Sequence, residues 1–108
     1  NLQATLRSSD VYLANNWNTV FCSLFVHLLC NTKGINLEPG ELSINIGDAH
    51  IYENHIKAVE EQIGRIPKPF PKLEVLCEKN DITEFEFEDI KLIGYNPYKN
   101  NMKVDMVV

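Results

Sequence analysis

Residues 42–63 read LSINIGDAHIYENHIKAVEEQI, and the period of their apolar residues changes partway along. Leu42, Ile44 and Ile46 alternate with Ser43 and Asn45, the pattern of a strand with one buried face. From about Tyr52 to Ile63 the apolar positions are Ile56, Val59 and Ile63, which is helical spacing. Glu53 precedes Lys57 by four residues and Glu61 precedes Arg65 by four, adding weak helix support. Gly47-Asp48 between the two runs reads as the break. The same change of period occurs upstream. Leu2, Ala4 and Leu6 alternate with polar residues, and Arg7-Ser8-Ser9-Asp10 then reads as a polar turn. Thr19 to Asn31 follows as a helix, with Val20, Phe21, Leu24, Phe25, Leu28 and Leu29 on its apolar face. Asn15-Asn16-Trp17-Asn18 offers N-cap residues, and Lys33-Gly34 supplies the stop. Cys22, Val26 and Cys30 spread the apolar surface around most of this helix, which predicts central burial.

Downstream, Pro67, Pro69 and Pro71 impose an extended segment. Leu73, Val75 and Cys77 alternate as a third strand, Asp81 to Asp89 reads as a short turn or helix, and Ile90 to Tyr95 as a last strand. The predicted class is α+β: a mixed sheet around a long buried helix. The 108 residues fit one domain or part of one, with 44% apolar and 23% charged residues. Fifteen acidic residues against ten basic ones leave a net charge of −5, which argues against a DNA-binding surface. The apolar helix is too short and interrupted for a membrane span. Three cysteines with no CxxC pair argue for a reduced, cytoplasmic protein rather than a disulfide scaffold. The chain opens on Asn1 rather than Met, so a fragment or processed product is expected.

Few residues carry chemistry. Arg7 beside Ser8 at a strand end places a forked cation next to a hydroxyl, a pair suited to phosphate. An ordinary exposed turn explains the same residues. Asp48, His50 and Tyr52 sit at a strand-to-helix junction, a common place for ligand contacts, where His50 and Tyr52 can address a sugar hydroxyl. A capping Asp and a hydrogen-bonded His are the plain alternative. Asp48, His50 and His55 lack the HExxH spacing, so no metal is expected. Cys22 and Cys30 lie in an apolar helix and Cys77 on a strand, none beside an evident base, so none is assigned to catalysis.

Taken in order, several runs resemble the C-terminal part of thymidylate synthases. They are Arg7-Ser8-Ser9-Asp10, Asn18 eleven residues after the Arg, the run from Gly47 to His55, Pro67-Lys68-Pro69-Phe70-Pro71-Lys72-Leu73, Phe87-Glu88-Asp89, Gly94-Tyr95-Asn96-Pro97 and the end Lys103 to Val108. The resemblance covers essentially the whole chain. It implies that residues 1–108 are the C-terminal part of one catalytic domain. That domain would act on deoxyuridylate (dUMP), with 5,10-methylenetetrahydrofolate as cosubstrate, as a cytoplasmic homodimer. Arg7 and Ser8 match phosphate contacts, and His50 and Tyr52 match residues holding the deoxyribose 3′-hydroxyl. Asn18 matches the amide that reads uracil N3–H and O4. Asp10 matches a residue serving both base and pteridine. Leu13, Ala14 and Trp17 match the folate wall, and Val108 matches the end of a C-terminal lid. The family's nucleophile is a Cys in a Pro-Cys-His run upstream of the opening strand. No such run occurs here, so this chain alone is expected not to turn over. Ala14 stands where the family usually has Gly, and Asn16-Trp17 where it has Pro-Phe. A deoxyuridylate hydroxymethylase and a non-catalytic nucleotide-binding or assembly subunit are the alternatives.

Overall fold

The structure is a computed structural model of the chain and describes residues 1–100 and 102–106. Strand β1 (Leu2–Asp10) leads through a three-residue turn into helix α1 (Ala14–Cys30), and the chain returns as β2 (Leu42–His50). β1 and β2 are parallel and run in step from Leu2 opposite Leu42 to Asp10 opposite His50. Parallel strands need a crossover, and α1 supplies it, which makes a βαβ unit. A 3-10 turn (Glu53–His55) then opens into helix α2 (Ile56–Ile63). β3 (Lys72–Val75) and β4 (Ile90–Ile93) form an antiparallel pair, joined through two 3-10 turns at Ile82–Glu84 and Phe87–Asp89.

The α+β class holds, with several local corrections. Arg7 to Asp10 is not a turn but the end of β1, and Gly47-Asp48 does not break β2. A ladder is made by backbone groups, so polar side chains at its end do not stop it. Helix α1 begins at Ala14, before the expected Asn cap. Its start is fixed from the preceding strand. One oxygen of the Asp10 carboxylate accepts the backbone N–H groups of Tyr12 at 3.0 Å and Leu13 at 3.1 Å. Cys77 lies beyond the end of β3, and β4 stops at Ile93. Among the described residues the parallel and antiparallel strands form two separate two-stranded sheets, not one mixed sheet.

The burial of α1 is also corrected. The helix packs on β1, β2 and β3, yet Trp17 is 78% exposed, Phe21 69% and Val20 66%. No described apolar side chain is fully buried. The radius of gyration is 16.4 Å, against about 13 Å for a compact chain of this length. Helical periodicity marks a side chain as apolar; what covers it depends on other segments, and none among the described residues lies over this face.

Gly47 matters for the geometry of the strand ends. The rung between Arg7 and Gly47 is missing from an otherwise regular ladder. A Cβ at 47 would sit 2.9 Å from the Arg7 carbonyl oxygen, a backbone atom that has no rotamer to escape into. Gly47→Ala in the intact polypeptide is therefore expected to cost about 1–3 kcal/mol. That is a fall of several degrees in thermal midpoint, because the backbone of Arg7 must move. An unchanged midpoint would show that the two strands absorb the methyl.

Candidate functional site

The polar ends of β1 and β2 lie side by side. Ser8 is opposite Asp48, Ser9 opposite Ala49, and Asp10 opposite His50. The Val11 N–H donates to the His50 carbonyl at 2.9 Å, which carries the pairing one step further. Both strands thus present their carboxyl ends at one edge, where sheets of this kind take ligands. Arg7 is exposed and forms no ion pair among the described residues. Its guanidinium is left with unfilled donors. Ser8 is half-buried beside it.

His50 is held in place by its neighbours. Its Nδ1 lies 3.3 Å from the Asp48 carbonyl and 3.6 Å from the Asp48 carboxylate. Its ring meets Tyr52 edge-on, with centroids 5.2 Å apart. Tyr52 meets His55 in the same way at 5.7 Å, and Tyr12 closes on His55 from another side at 5.6 Å. His55 Nδ1 is 3.8 Å from the second oxygen of Asp10. Asp10, His50 and Tyr52, singled out in the sequence, are therefore brought into one cluster. His55 and Tyr12 complete it and were not assigned to the site from sequence. In the sequence His55 stands out as the end of the Gly47 to His55 run and by its nearness to Asp48 and His50, which lack metal-site spacing. Among the described residues no group of three or more His, Cys, Asp or Glu side chains is placed to hold a metal ion.

Leu13 and Trp17 line an open groove of about 830 Å³. Tyr12, the extended segment from Ile66 to Pro71 and the run Tyr95 to Tyr98 form other parts of its wall. Extended proline backbone and exposed aromatic rings make a broad wall for a flat, partly apolar ligand. Tyr98 is fixed at its rim. Its hydroxyl donates to the Ile66 carbonyl at 2.8 Å, and Arg65 and Lys68 lie over its ring at 5.2 and 4.6 Å. Ala14 begins α1 but does not line the groove. Asn18 is half-buried one turn along α1, and its amide makes no side-chain hydrogen bond among the described residues. Val108 lies outside the described residues.

The cysteines are free thiols. Cys22 and Cys30 are on α1. The Cys77 thiol donates to Asp89 at 3.2 Å, and Lys79 reaches the other Asp89 oxygen at 3.2 Å. The hydrogen bond to Asp89 pushes the Cys77 thiol above its ordinary value. The Glu86 N–H, followed by Cys77 and Lys79, holds the Asp89 carboxyl below the usual carboxylate range. A thiol kept protonated in this way is a poor nucleophile.

Comparison with known proteins follows the same outline. The family model for thymidylate synthase matches residues 1–108. The chain is 41% identical over 100 residues to a bifunctional dihydrofolate reductase-thymidylate synthase of Zea mays, which covers 93% of this chain and 18% of that protein. It is 42% identical over 100 residues to bifunctional dihydrofolate reductase-thymidylate synthase 2 of Arabidopsis thaliana, covering 93% and 17%. The chain thus spans less than a fifth of the length of these relatives. No described helix is long and apolar enough to cross a membrane.

Proposed function

The chain belongs to the thymidylate synthase family, and we propose that residues 1–108 form the C-terminal part of a catalytic domain converting dUMP and 5,10-methylenetetrahydrofolate to thymidylate and dihydrofolate. One observation carries this reading: Arg7, Ser8, Asp10 and His50 meet at the carboxyl ends of two in-step parallel strands. In this reading Arg7 and Ser8 hold the nucleotide phosphate, the guanidinium by paired charge-assisted hydrogen bonds and the serine by its hydroxyl. His50, steadied by Asp48 and by the Tyr52 ring, presents a polar edge to the sugar, together with the Tyr52 hydroxyl. Asn18 reads the uracil edge with one acceptor and one donor.

The groove beside Leu13 and Trp17 suits the flat rings of the folate, and Asp10 stands between groove and strand ends. The folate supplies the one-carbon unit and the reducing equivalents. This chain's residues orient the ring systems and, through the C-terminal segment that ends at Val108, exclude water from them. The attacking thiolate belongs to a Cys outside residues 1–108. The Cys77 thiol, hydrogen-bonded to Asp89 and pushed above its ordinary value, does not suit that task. The rest of the catalytic domain covers the exposed face of α1, and a second copy completes a homodimer. The three free cysteines accord with a reducing, cytoplasmic setting.

The test uses the intact native polypeptide, mixed with 5-fluorodeoxyuridylate and methylenetetrahydrofolate, denatured and weighed by mass spectrometry. Fluorine at C5 cannot leave as a cation, so the reaction halts with both ligands attached. A denaturation-stable adduct of protein, nucleotide and folate is expected. Tight dUMP binding with no adduct would instead indicate a nucleotide-binding subunit without this chemistry.

A further inference from the structure

His55 is the most buried side chain among the described residues, at 0% exposure, and the reaction as described above gives it no role. It joins three parts of the fold. Nε2 lies 2.8 Å from the Asp105 backbone carbonyl, which can only accept, so Nε2 carries a proton and donates it there. The same carbonyl accepts from Asn54 Nδ2 at 3.2 Å. Asn54 and His55 therefore clamp one peptide group of the C-terminal segment from a 3-10 turn about fifty residues earlier in the chain. The other ring nitrogen, Nδ1, has no hydrogen-bond partner among the described residues and faces the free oxygen of Asp10 at 3.8 Å. Tyr12 and Tyr52 wall the ring on two sides. Tyr12 also reaches the C-terminal segment, its hydroxyl 3.9 Å from Met102 Sδ.

We propose that His55 is a positioning residue that fastens the C-terminal segment, through the Asp105 carbonyl, to the Asp10 and Tyr52 side of the site. The inference rests on the reading of that site given above. A buried ring donor facing a single peptide carbonyl holds the segment at one register only. A shift of one residue would leave the Nε2–H unpaired in a dry position, which is costly. The same ring sets the wall against which Asp10 and Tyr52 stand. Placement of the segment and placement of these two side chains are thereby one event, and the ligand most affected is the one that lies between Asp10 and the C-terminal segment, the folate.

Two substitutions in the intact polypeptide separate the donor from the ring. His55→Phe keeps an aromatic body and removes the N–H. His55→Gln keeps a donor near the reach of Nε2. Hydrogen exchange read by mass spectrometry at the amides of Met102 to Met106, with no ligand added, tests the fastening itself. Exchange there is expected to rise roughly tenfold in His55→Phe, the scale of one buried hydrogen bond, and to return to within about twofold of native in His55→Gln. Asn54→Ala, an exposed change that removes the second donor, gives a smaller rise and serves if His55→Phe folds poorly. Kinetics test the link to the site. The KM for methylenetetrahydrofolate is expected to rise roughly tenfold in His55→Phe and that for dUMP less than threefold, with His55→Gln restoring both. Unchanged exchange in His55→Phe and Asn54→Ala, or equal acceleration in His55→Phe and His55→Gln, overturns the fastening. Equal changes in both KM values overturn the link to the folate. A native protein without turnover defeats the functional reading, while the exchange result still decides the fastening.

Discussion

Arg7→Ala in the intact polypeptide is expected to weaken dUMP binding by about two to three orders of magnitude. Arg7 is exposed at the end of β1 and makes no ion pair among the described residues, so its charge is not neutralised from within. A guanidinium gripping a phosphate makes two parallel charge-assisted bonds, each contributing about 1.5–3 kcal/mol. Loss of both corresponds to roughly a 100- to 1,000-fold change or more in Kd. Arg7→Lys keeps the charge and loses the fork, so it should recover only part of the loss. Because an exposed, unpaired side chain is being removed, the thermal midpoint should stay within about a degree or two of native. The cleanest measurement compares calorimetric affinities for dUMP and deoxyuridine. Native protein should prefer the phosphorylated ligand strongly, and Arg7→Ala should lose most of that preference. Equal preference in the two proteins would take Arg7 out of the phosphate site.

The same strand end shows what the sequence could and could not disclose. Alternation at Leu2 to Leu6 and Leu42 to Ile46 located both strands, because one face of each packs inward. Arg7 to Asp10 reads as a turn and Gly47-Asp48 as a break, since both depart from the apolar pattern while the backbone pairing continues. Those polar residues are the candidate site, so the local rule failed where ligand chemistry displaces packing. The apolar face of α1 was legible and its burial was not, because exposure at Trp17 and Phe21 depends on segments remote in sequence. The sequence shows His55 only as the end of the Gly47 to His55 run, near Asp48 and His50. Its actual neighbours, Asp10 and Asp105, come from opposite ends of the chain, and periodicity carries no information about such contacts.

The second large effect concerns the base. Uracil offers an N3–H donor and an O4 acceptor on one edge; cytosine offers an N3 acceptor and an amino donor. The Asn18 amide carries one acceptor and one pair of donors, and in the function proposed above it meets the uracil edge with both. Asn18→Asp leaves two acceptors, which places a carboxylate oxygen against O4. An unpaired or opposed polar group in a site closed to water costs about 1–3 kcal/mol, so dUMP should lose roughly 10- to 100-fold in kcat/KM. Cytosine's amino group gives the new oxygen a donor, and the preference should move toward deoxycytidylate. The helix itself should tolerate the change. Asn and Asp have similar helix propensity, Asn18 makes no side-chain hydrogen bond among the described residues, and it lies near the start of α1, where a negative charge is favourable. A native-like thermal midpoint with an altered base preference would therefore locate the effect at the ligand. An unaltered ratio of kcat/KM for the two nucleotides would mean that the base is read elsewhere, and that Asn18 is a half-buried helix residue with no part in recognition.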